Sequence, residues 1–152
     1  MGEHHPVRSP AEAQALAQRV ADAMWANDHA SQALGLRILA VGPGMARLAM
    51  RVRADMLNGH EICHGGFIFT LSDSAFAYAC NSYNLVTVAS GCGIDFLAPA
   101  REGDVLTAHA HERSAAGRTG VYDIEVTNQR DEKIALFRGR SYRIKGHVVE
   151  DA

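Results

Sequence analysis

The sequence has no uninterrupted apolar run near the roughly 20 residues of a membrane-spanning helix, so no transmembrane segment is expected. It has no basic excess either: 15 Lys+Arg against 17 Asp+Glu leave a formal charge of −2, and Lys and Arg form no run. That balance excludes the electrostatic footprint of a nucleic-acid binder. Met1 to Pro10 is polar and lacks the apolar stretch of a signal peptide. Cysteine is scarce. Cys63, Cys80 and Cys92 are odd in number, with no CxxC pair and no zinc-type spacing, so reduced thiols in a cytoplasmic protein and no bound metal are expected. No P-loop and no GxGxxG fingerprint appears. Of the eight histidines, His4, His5 and His147 lie near the termini and read as solvated tail.

What is present suits a single domain, since 152 residues at 47% hydrophobic are enough for one real core. Ser9-Pro10-Ala11-Glu12 reads as a helix start, with Ser9 as N-cap, Pro10 at the first helical position and Glu12 closing a capping box. Leu16, Val20 and Met24 continue at helical spacing to about Asn27, and a short second turn ends near Gly35. From Leu36 the period changes. Leu36 to Val41 and Met45 to Val52 read as strands joined at Gly42-Pro43-Gly44.

After a loop from Asp55 to Cys63 comes an apolar run, Phe67 to Tyr83, too long for an ordinary strand. It reads as a helix buried on nearly all sides. Strands are then expected at Val86 to Leu97, Val105 to Arg113, Gly120 to Asn128 and Lys133 to Ile144. In the third of these Tyr122, Ile124 and Val126 alternate with Asp123, Glu125 and Thr127. The pattern predicts an α+β fold in which one curved antiparallel sheet of five to six strands wraps a central helix, with an N-terminal helix covering it. Residues 1–33 form the N-terminal helical segment, 34–146 the main domain and 147–152 a tail. The uncovered sheet face favours an oligomer.

Between Glu61 and Asp95 the single Asp, Glu, Lys or Arg is Asp73, placed mid-helix among Phe67, Phe69, Leu71, Phe76 and Tyr78. Burying an ionised carboxylate costs several kcal/mol unless it is paired. Asp73 therefore either points outward, caps a neighbouring element, or serves as a base or nucleophile. His64-Gly65-Gly66 stands where loop becomes helix. The first amides of a helix lack internal partners and carry the positive end of the dipole, so a carbonyl turning anionic would be stabilised there. Gly65 and Asp73 are eight residues apart, about 12 Å along a helix axis, which an aspartate side chain does not bridge. If both act on one carbonyl, Asp73 must come from a second copy, and a two-fold dimer provides two such sites.

Leu57-Asn58-Gly59-His60, Cys63-His64-Gly65-Gly66 and Ser72 to Ser82 resemble the hotdog-fold acyl-CoA thioesterases, and within them the phenylacetate-degradation branch. Ala89 to Leu97, Thr119 to Ile124 and Ala135 to Gly139 extend the likeness, which covers roughly 34–146. The resemblance implies a metal-free, cofactor-free hydrolase of phenylacetyl-CoA or its ring-modified relatives, forming dimers by sheet continuation and commonly a tetramer. It implies that the Gly65 amide polarises the thioester carbonyl and that Asp73 of a partner subunit is the carboxylate base or nucleophile. Asn58 and His64 line the same site, with Gly66, Phe67 and Ser74 on the substrate. The hydroxybenzoyl-CoA branch carries Glu and, one turn later, Thr where this chain has Asp73 and Ala77, which leaves the water-holding group to Asn58 or Ser74. Arg113, Arg118, Arg138, Arg140 and Arg143 are candidate partners for the CoA phosphates. The rival readings are a hotdog enoyl-CoA hydratase and a non-catalytic acyl-CoA-binding module.

Overall fold

The structure is a computed structural model describing residues 7–150. Helix α1 (Pro10–Asn27) begins as the capping signal requires, Ser9 Oγ accepting from Glu12 N at 3.2 Å. The short α2 (His29–Ala33) is capped by Asp28, whose Oδ1 accepts from Ser31 N. Strands β1 (Arg37–Gly42) and β2 (Met45–Arg51) form a hairpin, and α3 (Gly65–Cys80) follows a loop closed by an antiparallel bridge between Leu57 and Cys63. Strands β3 (Thr87–Phe96), β4 (Val105–Ala116), β5 (Thr119–Thr127) and β6 (Lys133–Arg143) complete one six-stranded antiparallel sheet, ordered β1-β2-β4-β5-β6-β3. The expected α+β arrangement is therefore present. No helix among the described residues is long and apolar enough to cross a membrane.

The alternation read in β5 is the alternation seen: Tyr122, Ile124 and Val126 are buried against α3, while Asp123, Glu125 and Thr127 face outward. Phe76 of α3 meets Tyr122 at 5.5 Å between ring centroids and lies against Gly139, where any Cβ would sit 2.8 Å from the ring. The outward face is charged. Arg138 grips Asp123 through two hydrogen bonds of 2.7 and 2.9 Å, Arg113 adds a contact of 3.4 Å, and Lys133 reaches Glu125 at 3.9 Å.

In one respect the central helix differs from expectation. It is not enclosed on all sides: Gly66, Thr70, Asp73 and Ala77, spaced four, three and four apart, form a stripe that stays partly open in the single chain. The reason is topological. Strand β3 lies at the sheet margin beside β6, with nothing among the described residues paired to its other side, so the wrap around α3 stops there.

The C-terminal end of α3 is tied to the start of β3 by Asn81, which donates to Ala77 O and Thr87 O and accepts from Thr87 N. His4 and His5 lie outside the described residues. His147 is exposed as expected, yet its Nδ1 stands 2.9 Å from Asn84 O, and Asn84 also exchanges hydrogen bonds with Val149 in both directions.

Candidate active site

Helix α3 begins at Gly65 because His64 supplies an N-cap, its Nδ1 accepting from Gly66 N at 3.1 Å. With Nδ1 as acceptor, the neutral ring carries its proton on Nε2, leaving that N–H as a donor. Phe67 N bonds back to His64 O. Gly65 N–H has no acceptor among the described residues, so the helix presents one free amide at the positive end of its dipole. The Phe96 ring, at the end of β3, covers this point: a Cβ on Gly65 would lie 2.8 Å from it. Phe67 meets the His64 ring edge-on at 6.3 Å.

Asn58 holds the preceding loop in shape, its Oδ1 accepting from His60 N at 2.9 Å and Ile62 N at 3.5 Å. His64 N in turn donates to Met56 O, which fixes the cap against that loop. Sequence reasoning assigned Asn58 to the site, and the structure shows it organising the loop that carries His64.

Asp73 is half-buried and makes no hydrogen bond or ion pair with a described residue. Desolvation by burial raises its carboxyl above the ordinary aspartate range. Its charge is felt by two thiols, Cys80 on α3 and Cys92 on β3, and both are raised first by their own burial. Cys80 is pushed up to about 12, and Cys63 to about 11. All three cysteines are free thiols, and none is thiolate-like near neutrality. Asp73 is a carboxylate without a partner among the described residues, two turns along α3 from the free amide.

Because α3 runs unbroken from Gly65 to Cys80, Gly65 and Asp73 stay about 12 Å apart along its axis. The structure thus brings His64, Gly65, Gly66, Phe67 and Phe96 together and leaves Asp73 two turns away. Ser74 turns to the other side of the helix, where its Oγ lies 3.0 Å from Ser31 Oγ of α2. Both candidates for holding water are thus engaged, Asn58 through its Oδ1 and Ser74 through its Oγ. Of the arginines, Arg138 and Arg113 are committed to Asp123, and Arg118 bonds Arg143 O. Arg140 makes no ion pair with a described residue, and its guanidinium lies across Gly91 of β3. Sequence reasoning did not pick out Phe96 or Cys92. Neither stands near Gly65 or Asp73 in the sequence, and only the register of β3 against β6 brings them beside α3.

The fold has known counterparts. The Thioesterase superfamily matches residues 60–135, and over 132 residues the chain is 53% identical to Acyl-coenzyme A thioesterase PaaI of Escherichia coli (strain K12), covering 87% of this chain and 94% of that protein. The chain belongs to the thioesterase superfamily. The structure of the E. coli PaaI protein from the phenylacetic acid degradation operon superposes with a TM-score of 0.87 at 52% identity, over 88% of this chain and 97% of that one. A structure of the phenylacetic acid degradation protein PaaI from Thermus thermophilus gives 0.74 at 40% identity, over 77% and 100%. The sheet around α3 is thus the hotdog fold of this superfamily.

Proposed function

We infer that this chain is an acyl-CoA thioesterase that hydrolyses phenylacetyl-CoA and its ring-modified relatives to the acid and free CoA. The observation that carries the reading is the pairing, on one open flank of α3, of a free amide at Gly65 with an unpaired, half-buried carboxylate at Asp73. The likeness to the E. coli thioesterase PaaI supports it and does not favour a hydratase.

In this mechanism the thioester oxygen accepts from Gly65 N–H, helped by the helix dipole and the adjacent His64 Nε2–H. Asp73 of a second copy either takes a proton from water as it attacks the carbonyl carbon, or attacks directly to give an anhydride that water then opens. Either route breaks the C–S bond, and the thiolate leaves and is protonated. Net, one water is consumed and one acid and one CoA thiol are released.

The second copy pairs along β3. This ten-residue edge has no partner on one side and is flanked by exposed Val88, Phe96, Leu97 and Tyr142, and an open edge of that kind is a template for pairing. Two such dimers form the homotetramer, which light scattering would size. The free thiols support a reducing, cytoplasmic setting.

Thiol release from a panel of acyl-CoA substrates tests the activity, and mixed subunits test the shared site. Asp73→Asn and Gly65→Pro proteins should each be inactive, and refolding them together should restore up to about a quarter of the wild-type rate per subunit, from hybrids with one intact site. Hybrids that assemble but stay inactive would count against the shared site alone.

A further inference from the structure

Resting on that reading, we propose that the inner-facing row of β3, and Phe96 above all, forms the wall that selects the acyl group. In antiparallel register with β6, Cys92 stands opposite Gly139, Ile94 opposite Phe137 and Phe96 opposite Ala135. Those β6 positions face α3: Phe76 packs on Gly139, Phe69 meets Phe137 edge-to-face at 5.1 Å, and Ala135 is fully buried. Cys92, Ile94 and Phe96 therefore look toward the helix, while Gly93 and Asp95 look outward.

The row and the helix run in opposite directions. Phe96 touches Gly65 at the helix start, and Cys92 lies within the field of Asp73 two turns on. Four strand residues span about 13 Å and eight helical residues about 12 Å, so the two lengths match. The partly open stripe of α3 and this row of β3 therefore run side by side along the same margin of the chain. A two-fold pairing of β3 edges would set the Gly65–Phe96 end of one copy against the Asp73–Cys92 end of the other.

Phe96 is 53% exposed although it is large and apolar, and its ring lies beside Gly65, whose N–H is free among the described residues. A thioester oxygen seated on that N–H would bring its acyl group next to this ring. A flat aryl group gains most, because aromatic pairs add attraction beyond the area they bury. A two-carbon acyl group gains almost nothing.

The test compares phenylacetyl-CoA with acetyl-CoA on the intact wild-type enzyme, Phe96→Ala and Phe96→Leu. A single apolar pocket contact is worth about 10- to 200-fold in discrimination. Phe96→Ala should lower kcat/KM for phenylacetyl-CoA by about 30-fold, mostly through KM, and for acetyl-CoA by less than about 3-fold. Phe96→Leu, which keeps apolar bulk at the exposed ring position, should fall between and provides the readout if the alanine variant does not fold. Equal losses on the two substrates, or no loss on either, would overturn the proposal. A wild-type enzyme that releases no thiol from any acyl-CoA would instead sink the functional reading beneath it.

Discussion

At one margin of the sheet, β1 contributes only six residues, is bent by a bulge between Ile38 and Ala40, and is covered by α1, whose Gln14 donates to Val41 O. At the other, β3 runs ten residues with its outer edge uncovered and apolar side chains beside it. The polar groups of the two flanks differ in the same sense. On the covered flank, Asp28 caps α2 and accepts from Tyr78 OH at 3.0 Å, and Ser31 meets Ser74. On the open flank, Gly65 N–H and Asp73 have no partner among the described residues. Both margins carry a bulge, β3 between Ala89 and Gly91, so what separates them is length and cover; short, covered edges are how sheets avoid pairing, and satisfied polar groups are how folds gain stability. The contrast teaches that one side of this protein satisfies its polar groups within the chain, and that the other leaves Gly65 N–H and Asp73 without a partner among the described residues.

The largest expected effect comes from mutating one aspartate on each flank. Asp73→Asn should lower kcat by at least about 10³-fold, since the reacting carboxylate is lost. It should not lower stability. The raised carboxyl of the folded state binds protons that the unfolded chain has released, so Asp73 detracts from stability as pH rises through its folded value. The Tm of Asp73→Asn should thus equal or exceed wild type at pH 8, with the gap closing toward pH 4. Asp28→Ala should do the reverse, keeping most of the activity while losing about 2 kcal/mol of stability through a missing cap and an orphaned Tyr78 hydroxyl. A thermal melt and a thiol-release assay on both variants decide the matter.

The edges themselves can be set against each other. A Cβ at Gly93, on the outward side of β3, meets nothing within 4 Å, so the lone chain accommodates Gly93→Lys. In a β3-paired dimer the added cation would join Arg138 and Arg140, shift the mass toward monomer in light scattering, and cut activity by about 10-fold or more. Leu39→Lys, at the half-exposed bulge of β1, should change neither mass nor rate.

A smaller effect is expected on the outward face, where His109 and His111 stack at 4.0 Å. Burial first, then the charges of His111 and Arg47, lower His109, with Glu125 opposing. A lowered folded value means the unfolded chain binds more protons, so stability falls as pH drops through the ordinary histidine range toward 5. His109→Gln should blunt that acid loss by about 2 °C in Tm at pH 5 and leave pH 8 unchanged. An unaltered acid slope would show that the pair is thermally neutral.

Much of this was legible from residues alone. The cap at Ser9, the hairpin at Gly42-Pro43-Gly44, the alternation in β5 and the lone Asp73 are local signals, set by spacing and by the cost of burying charge. The incomplete enclosure of α3 was not legible, because it depends on β3 travelling past β6 to the far margin, which no periodicity encodes. Ser74 illustrates the same limit: the resemblance made it a candidate, and its contact with Ser31 Oγ at 3.0 Å, made by a residue some forty positions earlier, is not written in the local pattern.

The sequence by itself therefore determined the elements, the helix start that presents a free amide, and a separation along α3 that one subunit does not bridge. Only the tertiary structure decided which flank stays open, which ring covers Gly65 and which thiols sense Asp73. Those are contacts between residues far apart in the chain, and they follow from strand order and register rather than from the local preferences of any segment.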